Sequence, residues 1–220
     1  MTNIDKPRLR FFENSPGQQH IPEQDKYLYA AQEPRHKLGI IGTGTIGQVF
    51  CSIMRGFADA EIDALMICTP NYTHFDVLKT ALDSGKAIFL EKPIATTLAD
   101  AFAINTLASE YSSFIQLGLQ YRYKAQYVEA LHEVSVRKSL GALSMISMSE
   151  YRPPFLDKVG QWNKFNVTSG GTLVEKCCHY FDLINLLAAA KPLRVYASAG
   201  RSGVFDSLSR QGEVSDIDDN

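Results

Sequence analysis

The strand candidate Lys37–Ile41 (KLGII) runs directly into Gly42-Thr43-Gly44-Thr45-Ile46-Gly47, a G-x-G-x-x-G turn. A helix candidate follows over Thr45–Met54, with Ile46, Val49, Phe50 and Ile53 at helical spacing. A glycine turn between a strand and a helix constrains a fold more than the same letters elsewhere. Gly42 permits the tight turn, Gly44 lets backbone approach a pyrophosphate, and Gly47 lets helix and strand pack closely. The N–H groups of Thr45 and Ile46 open the helix, where unpaired donors favour an anion. The bland alternative is a glycine-rich turn without a ligand; the strand–turn–helix context favours the nucleotide.

Apolar runs then alternate with helical patterns. Ala64–Cys68 (ALMIC) ends in Thr69-Pro70-Asn71, and residues 74–84 follow with Phe75, Leu78 and Leu82 on one face and Gly85 as a stop. Ala87–Leu90 ends in Glu91-Lys92-Pro93, Leu98–Tyr111 is helical in pattern, and Phe114–Leu119 is a fourth strand. Continuous rather than alternating apolar strands predict a parallel sheet covered on both faces, an α/β fold of Rossmann-like type. Such a fold places an Asp or Glu at the end of its second strand for the ribose hydroxyls. Here the second strand ends in Thr-Pro-Asn, and Asp59, Glu61 and Asp63 precede it. Part of the first half of the sheet is therefore missing.

After Arg122 the rhythm changes. Gln126–Lys138 reads as a helix, Ala142–Tyr151 as a strand, Thr172–Ala189 as a helix and Leu193–Ala199 as a strand, before an acidic tail without a closing element. Three parts are expected: a mobile or loosely docked extension over 1–35, a dinucleotide-binding domain over 36–122, and a partial second α/β domain over 123–220.

The formal net charge is −2, which gives no electrostatic reason to expect nucleic acid or an anionic membrane as partner. No apolar run is long enough to cross a bilayer, and the N-terminus lacks the apolar core of a secretory signal. Cys51, Cys68, Cys177 and Cys178 form no C-x-x-C pair, so free thiols in a reducing, cytoplasmic setting are expected. Cys177-Cys178-His179 invites a metal, but adjacent helical side chains diverge by about 100°. No metal is expected.

Lys92 follows a strand at the end of the sheet where α/β ligands bind. There an amine can donate to a substrate hydroxyl or pass a proton. Pro93 makes the preceding peptide a candidate for the cis form. Glu175, His179 and Asp182 are spaced by four and three, on one face of the expected helix, where acid and imidazole can bind a polyol and relay its proton. The competing reading is a solvated acidic face with one structural histidine. Trp162, in GQWNKFN, lies in a loop that either covers a site or simply packs.

Three stretches, GTGTIG, then DALMICTPNYTH with GKAIFLEKP, then GGTLVEKCCHYFD, together resemble the family of glucose–fructose oxidoreductase, inositol dehydrogenase and the rhizopine-catabolism protein (Gfo/Idh/MocA). The resemblance runs from about Lys37 to about Ala199. It implies an N-terminal Rossmann domain, a C-terminal α/β domain with an open sheet that serves substrate binding and oligomerisation, and a homo-oligomer. Against the family pattern the chain reads as internally deleted after the glycine turn and truncated at its C-terminus.

The resemblance further implies a NAD- or NADP-dependent oxidoreductase that moves hydride to or from a secondary alcohol of a sugar, polyol or cyclitol. By its pattern Lys92, His179 and Glu175 are catalytic. Thr69, Pro70, Asn71, His74, Glu91 and Gln120 lie along the cofactor with the glycine turn, and Arg122, Trp162 and Asp182 lie near the substrate. Family members often carry Asp where this chain has Glu175 and Gly where it has Cys177. The alternative is a catalytically impaired remnant that binds only nucleotide or a partner chain.

Overall fold

The computed structural model of the protein describes residues 36–42, 62–151 and 153–219. Expectations for the extension, the helix over 45–54, Cys51 and the turn residues Gly44, Thr45, Ile46 and Gly47 fall outside them.

Four strands form one parallel sheet in the order β1-β2-β3-β4: β1 Leu38–Ile41, β2 Ala64–Ile67, β3 Ala87–Leu90 and β4 Ile115–Leu117. Helix α1 (His74–Ala81) joins β2 to β3, and α2 (Leu98–Glu110) joins β3 to β4. Gly85 ends the first connection at φ +62°, in the left-handed region expected of a stop glycine. Thr97 starts α2 by accepting the Asp100 N–H at 3.1 Å, and its hydroxyl donates to the Asp100 carboxylate at 2.8 Å.

Both crossovers step the same way across the sheet. Right-handed connections of that kind place their helices on one face. The register shows which face it is. The rows Gly39, Leu65, Ile88, Ile115 and Ile41, Ile67, Leu90, Leu117 point together. Leu65, Ile67, Ile88 and Leu90 pack with Leu78 and Ala81 of α1 and Ile104 of α2 into the buried core. The opposite face, with Leu38, Ala64, Met66, Ala87, Phe89 and Phe114, forms an apolar trough. The sheet was expected to be covered on both faces; among the described residues only one carries helices.

The second part begins with α3 (Ala125–His132), which runs on through a wide turn to Arg137. Helices α4 (Asn166–Ser169), α5 (Gly171–Glu175) and α6 (Cys178–Ala188) follow. The single helix expected over 172–189 is broken. Cys177 N–H donates to the Thr172 carbonyl, five residues back, and His179 N–H to Lys176, three back. The ladder first widens and then tightens, so Glu175 and His179 sit on different helices.

Two further expectations are corrected. Residues 142–151 and 193–199 form no strand, and Met145, Tyr151, Leu193, Val195 and Tyr196 stand exposed. Their alternation has no neighbouring strand among the described residues to pair with, and a strand is defined by such pairing. The acidic tail, expected to stop without a closing element, docks instead. A hairpin of β5 (Ser209–Arg210) and β6 (Glu213–Val214) leads into it. Ile217 is buried, Asp216 accepts from the Asn166 N–H, and Asp219 accepts from the N–H groups of Ser202 and Val204.

Candidate active site

The carboxyl ends of four parallel strands line up, so the segments that leave them share one edge: Gly42 after β1, Cys68–Asn71 after β2, Glu91–Pro93 after β3 and Gly118–Arg122 after β4. Helices α5 and α6 pack against this edge.

Gly42 has φ +92°, and a Cβ there would lie 2.8 Å from the Cys68 carbonyl carbon and from the Thr69 nitrogen. Only glycine lets β1 leave the sheet this close to the β2 exit. The Thr69 hydroxyl beside it is buried without a hydrogen-bond partner among the described residues. An orphaned hydroxyl and a bare glycine at the sheet's carboxyl edge fit a bound phosphate-bearing cofactor.

The loop behind them is held by His74. Its ring is fully buried, with Nδ1 2.8 Å from the Pro93 carbonyl and Nε2 3.1 Å from the Thr69 carbonyl. Burial pulls its pKa below the ordinary value against the two carbonyls. The ring of His74, a residue expected along the cofactor, staples the β2 exit to the β3 exit. Pro70 precedes the short turn Asn71–Thr73 that leads into α1. The Lys92–Pro93 peptide is cis.

Glu175 is where the two parts meet. Its Oε2 accepts from Asn71 Nδ2 at 2.6 Å and its Oε1 from Lys158 Nζ at 3.0 Å, while Lys92 Nζ donates to its backbone carbonyl at 2.7 Å. Lys92 Nζ also lies 3.6 Å from Oε1. Burial works against the charge, but Lys92, Lys158 and the Asn71 amide together hold the carboxyl below the ordinary glutamate value. Asn71 spends its other donor on the Ser169 carbonyl at 3.2 Å. Asn71, expected on the cofactor, is thus committed to the seam between the parts. Glu91 is buried, which pushes its pKa up, and it accepts from the Lys92 N–H at 3.1 Å.

His179 opens α6 and is buried. Burial lowers its pKa first and the Lys92 charge next, to about 4. Lys92 therefore acts on this imidazole electrostatically from the other part of the chain. Nδ1 of His179 is buried and has no hydrogen-bond partner among the described residues. The imidazole lies flat on Tyr121, with ring centroids 4.1 Å apart and planes 8° from parallel. Burial pushes the neighbouring Cys178 thiol up to about 11, so it stays protonated.

Arg122 and Asp182 were both expected near substrate. They face each other in a two-pronged pair, with Arg122 Nε 2.7 Å from Asp182 Oδ2 and Nη2 bonded to Oδ1. Gln120 is exposed on the turn after β4. Trp162 is buried under Lys158, whose Nζ stands 4.2 Å from its ring centroid. Among the described residues, no group of three His, Cys, Asp or Glu side chains could hold a metal.

Sequence reasoning missed Tyr121, Lys158 and Lys176. Tyr121 stood between two residues it singled out, Gln120 and Arg122. Lys158 lies in a segment without periodicity, where nothing marks one lysine from another.

A four-strand parallel sheet whose carboxyl edge carries a second, largely helical part is a two-part arrangement of Rossmann-like type. The profile described as "Oxidoreductase family, NAD-binding Rossmann fold" matches residues 49–119, and "Oxidoreductase family, C-terminal alpha/beta domain" matches residues 136–219. The chain belongs to the Gfo/Idh/MocA oxidoreductase family, and its first part is of the NAD(P)-binding Rossmann type. The glycine turn lies ahead of the matched range.

Inositol 2-dehydrogenase of Rhizobium meliloti strain 1021 is 26% identical over 222 aligned residues, which take in 79% of this chain and 63% of that protein. An alignment longer than this chain that uses only 79% of it crosses a stretch of the relative with no counterpart here. The scyllo-inositol 2-dehydrogenase (NAD(+)) of Bacillus subtilis strain 168 is 28% identical over 133 residues, 60% of this chain and 37% of that one. The chain thus spans less than two thirds of either relative. Among solved structures, myo-inositol 2-dehydrogenase from Lactobacillus plantarum superposes with a TM-score of 0.55 at 16% identity, covering 78% of this chain and 61% of that one; this speaks for the fold.

Proposed function

We propose that the protein is a NAD(P)-dependent oxidoreductase acting on a secondary alcohol of a sugar, polyol or cyclitol. The observation that carries this reading is that Lys92 Nζ, donating to the Glu175 carbonyl at 2.7 Å, reaches the segment that carries His179. Lys92 is an amine from the β3 exit. His179 is a neutral imidazole from α6 with an unpartnered buried nitrogen, and it feels the amine's charge. The bound nicotinamide would supply the hydride acceptor or donor. In the oxidising direction the Lys92 ammonium donates a hydrogen bond to the substrate oxygen and steadies its developing negative charge. The hydroxyl proton passes to His179, which is neutral above about pH 4 and free to accept it. Gly42 and the Thr69 hydroxyl would lie along the cofactor. Glu175 serves this chemistry by fixing Lys92 rather than by exchanging protons, because its carboxylate is already held by Asn71 and Lys158. We also place the division between the two parts at Arg122 and Tyr123.

The test is the nicotinamide absorbance change with a panel of inositols and sugars. Lys92→Ala should lower turnover by roughly 100- to 10,000-fold. A folded sample that binds NAD or NADP by calorimetry yet reduces neither with any polyol would overturn the assignment. That result would favour a remnant that only binds nucleotide, a reading supported by the commitment of Asn71 and Arg122 to internal partners.

A further inference from the structure

An imidazole that works on a proton needs its ring held in one orientation. The usual device is a hydrogen bond from the second ring nitrogen to a carboxylate or carbonyl. His179 has no such bond at Nδ1 among the described residues. What it has is a flat aromatic neighbour. Tyr121 covers one face of the imidazole at 4.1 Å, nearly parallel. That is closer than the range of about 4.5–7 Å common for aromatic pairs.

Tyr121 is itself held. The Lys124 ammonium lies over the ring, 3.8 Å from its centroid. The Tyr121 hydroxyl is bonded to Lys176 Nζ at 2.5 Å, and Lys176 is in turn 3.4 Å from the Glu150 carboxylate. Tyr127 and Tyr180 flank the ring at 5.5 Å and 5.9 Å. A phenol tied at its hydroxyl and packed among rings and an ammonium resists swinging away from the imidazole.

We propose that Tyr121 is the positioning residue for His179: a clamped aromatic plate that orients the imidazole by stacking, in place of a hydrogen-bonded carboxylate. The proposal rests on the reading of His179 as the proton acceptor. Tyr121 leaves the β4 strand end and His179 opens α6, so the plate also carries orientation from the first part of the chain to the second. The charged groups that act on the imidazole are Lys92, Lys176 and Lys124, which favour its neutral form, and Asp182, which opposes them. Tyr180 borders Tyr121, and Glu150 faces Lys176 and Tyr180.

The test follows the His179 Cε1–H resonance through a pH titration, which needs no turnover. In the wild-type protein this resonance should be shifted upfield by the Tyr121 ring current and titrate near pH 4. Tyr121→Phe keeps the plate and should keep both features. Tyr121→Leu should abolish the upfield shift and raise the titration by about one unit or more toward the ordinary histidine value of about 6.5. If Tyr121→Leu fails to fold by circular dichroism, Lys124→Met takes its place and should partly relax the upfield shift. Where polyol oxidation is measurable, Tyr121→Leu should lower kcat roughly 10- to 100-fold with KM nearly unchanged. An unshifted wild-type resonance, or a shift and titration indifferent to these substitutions, overturns the proposal. Absent turnover in the wild type, with the resonance behaving as described, overturns the enzymatic reading alone.

Discussion

Lys158 and Asn71 spend donors on the Glu175 carboxylate and the Lys92 ammonium lies 3.6 Å from it, which makes the loss of that one side chain expensive. Glu175→Ala leaves two partly buried ammonium groups without their counter-charge and should destabilise the fold by about 3 kcal/mol, measured by urea unfolding. Its folded pKa is depressed, so its contribution is complete above the ordinary glutamate value of about 4.3 and is lost as pH falls below it. His179 acts over a higher window. Its folded pKa is about 4 and its unfolded value about 6.5, so the unfolded chain binds the extra proton in between. Stability should fall by on the order of 3 kcal/mol as pH drops through that interval, and His179→Gln should flatten the slope there. Lys92 was legible at this scale because Glu91-Lys92-Pro93 follows an apolar run. Tyr121 was not, because a stack between two turns distant in sequence leaves no spacing to read.

The elements were legible where local chemistry decides them. Gly85 announced a stop that the backbone adopts. Thr97→Ala should cost about 1 kcal/mol in thermal or urea melts, since it frees the Asp100 N–H at the start of α2. Gly42→Ala meets both a positive φ and the backbone of Cys68 and Thr69. It should destabilise by roughly 1–3 kcal/mol and weaken nucleotide binding in calorimetry. Local reading failed where a distant partner decides. Helix periodicity runs unbroken through Lys176 and Cys177, yet Glu175 is drawn to Asn71 and Lys158 while His179 is drawn to Tyr121, and the ladder yields between them. Alternation over 142–151 signalled a strand, but alternation states only which faces differ and not that a neighbour is present.

Across the whole molecule the two parts are joined by polar ties of unlike burial. Arg122 is 42% exposed in its pair with Asp182, whereas Glu175 is 7% exposed beside Lys158. Asp182→Ala should therefore cost no more than about 1 kcal/mol, an effect that fades in 1 M salt. The loss at Glu175 should persist in salt. The family was legible because two of its boxes, Thr69-Pro70-Asn71 and Glu91-Lys92-Pro93, sit at strand exits that the sheet brings to one edge. Which face the described helices cover was not, since apolar strands read the same on either side.

The amine at the β3 exit already has an oxygen to hold, the carbonyl of the residue that binds the seam. Any guest that recruits it exchanges one such contact for another, and its net grip is the difference between two bonds of similar strength. A visitor with an oxygen in the right place gains a little; one that reaches the amine poorly leaves the host better off closed.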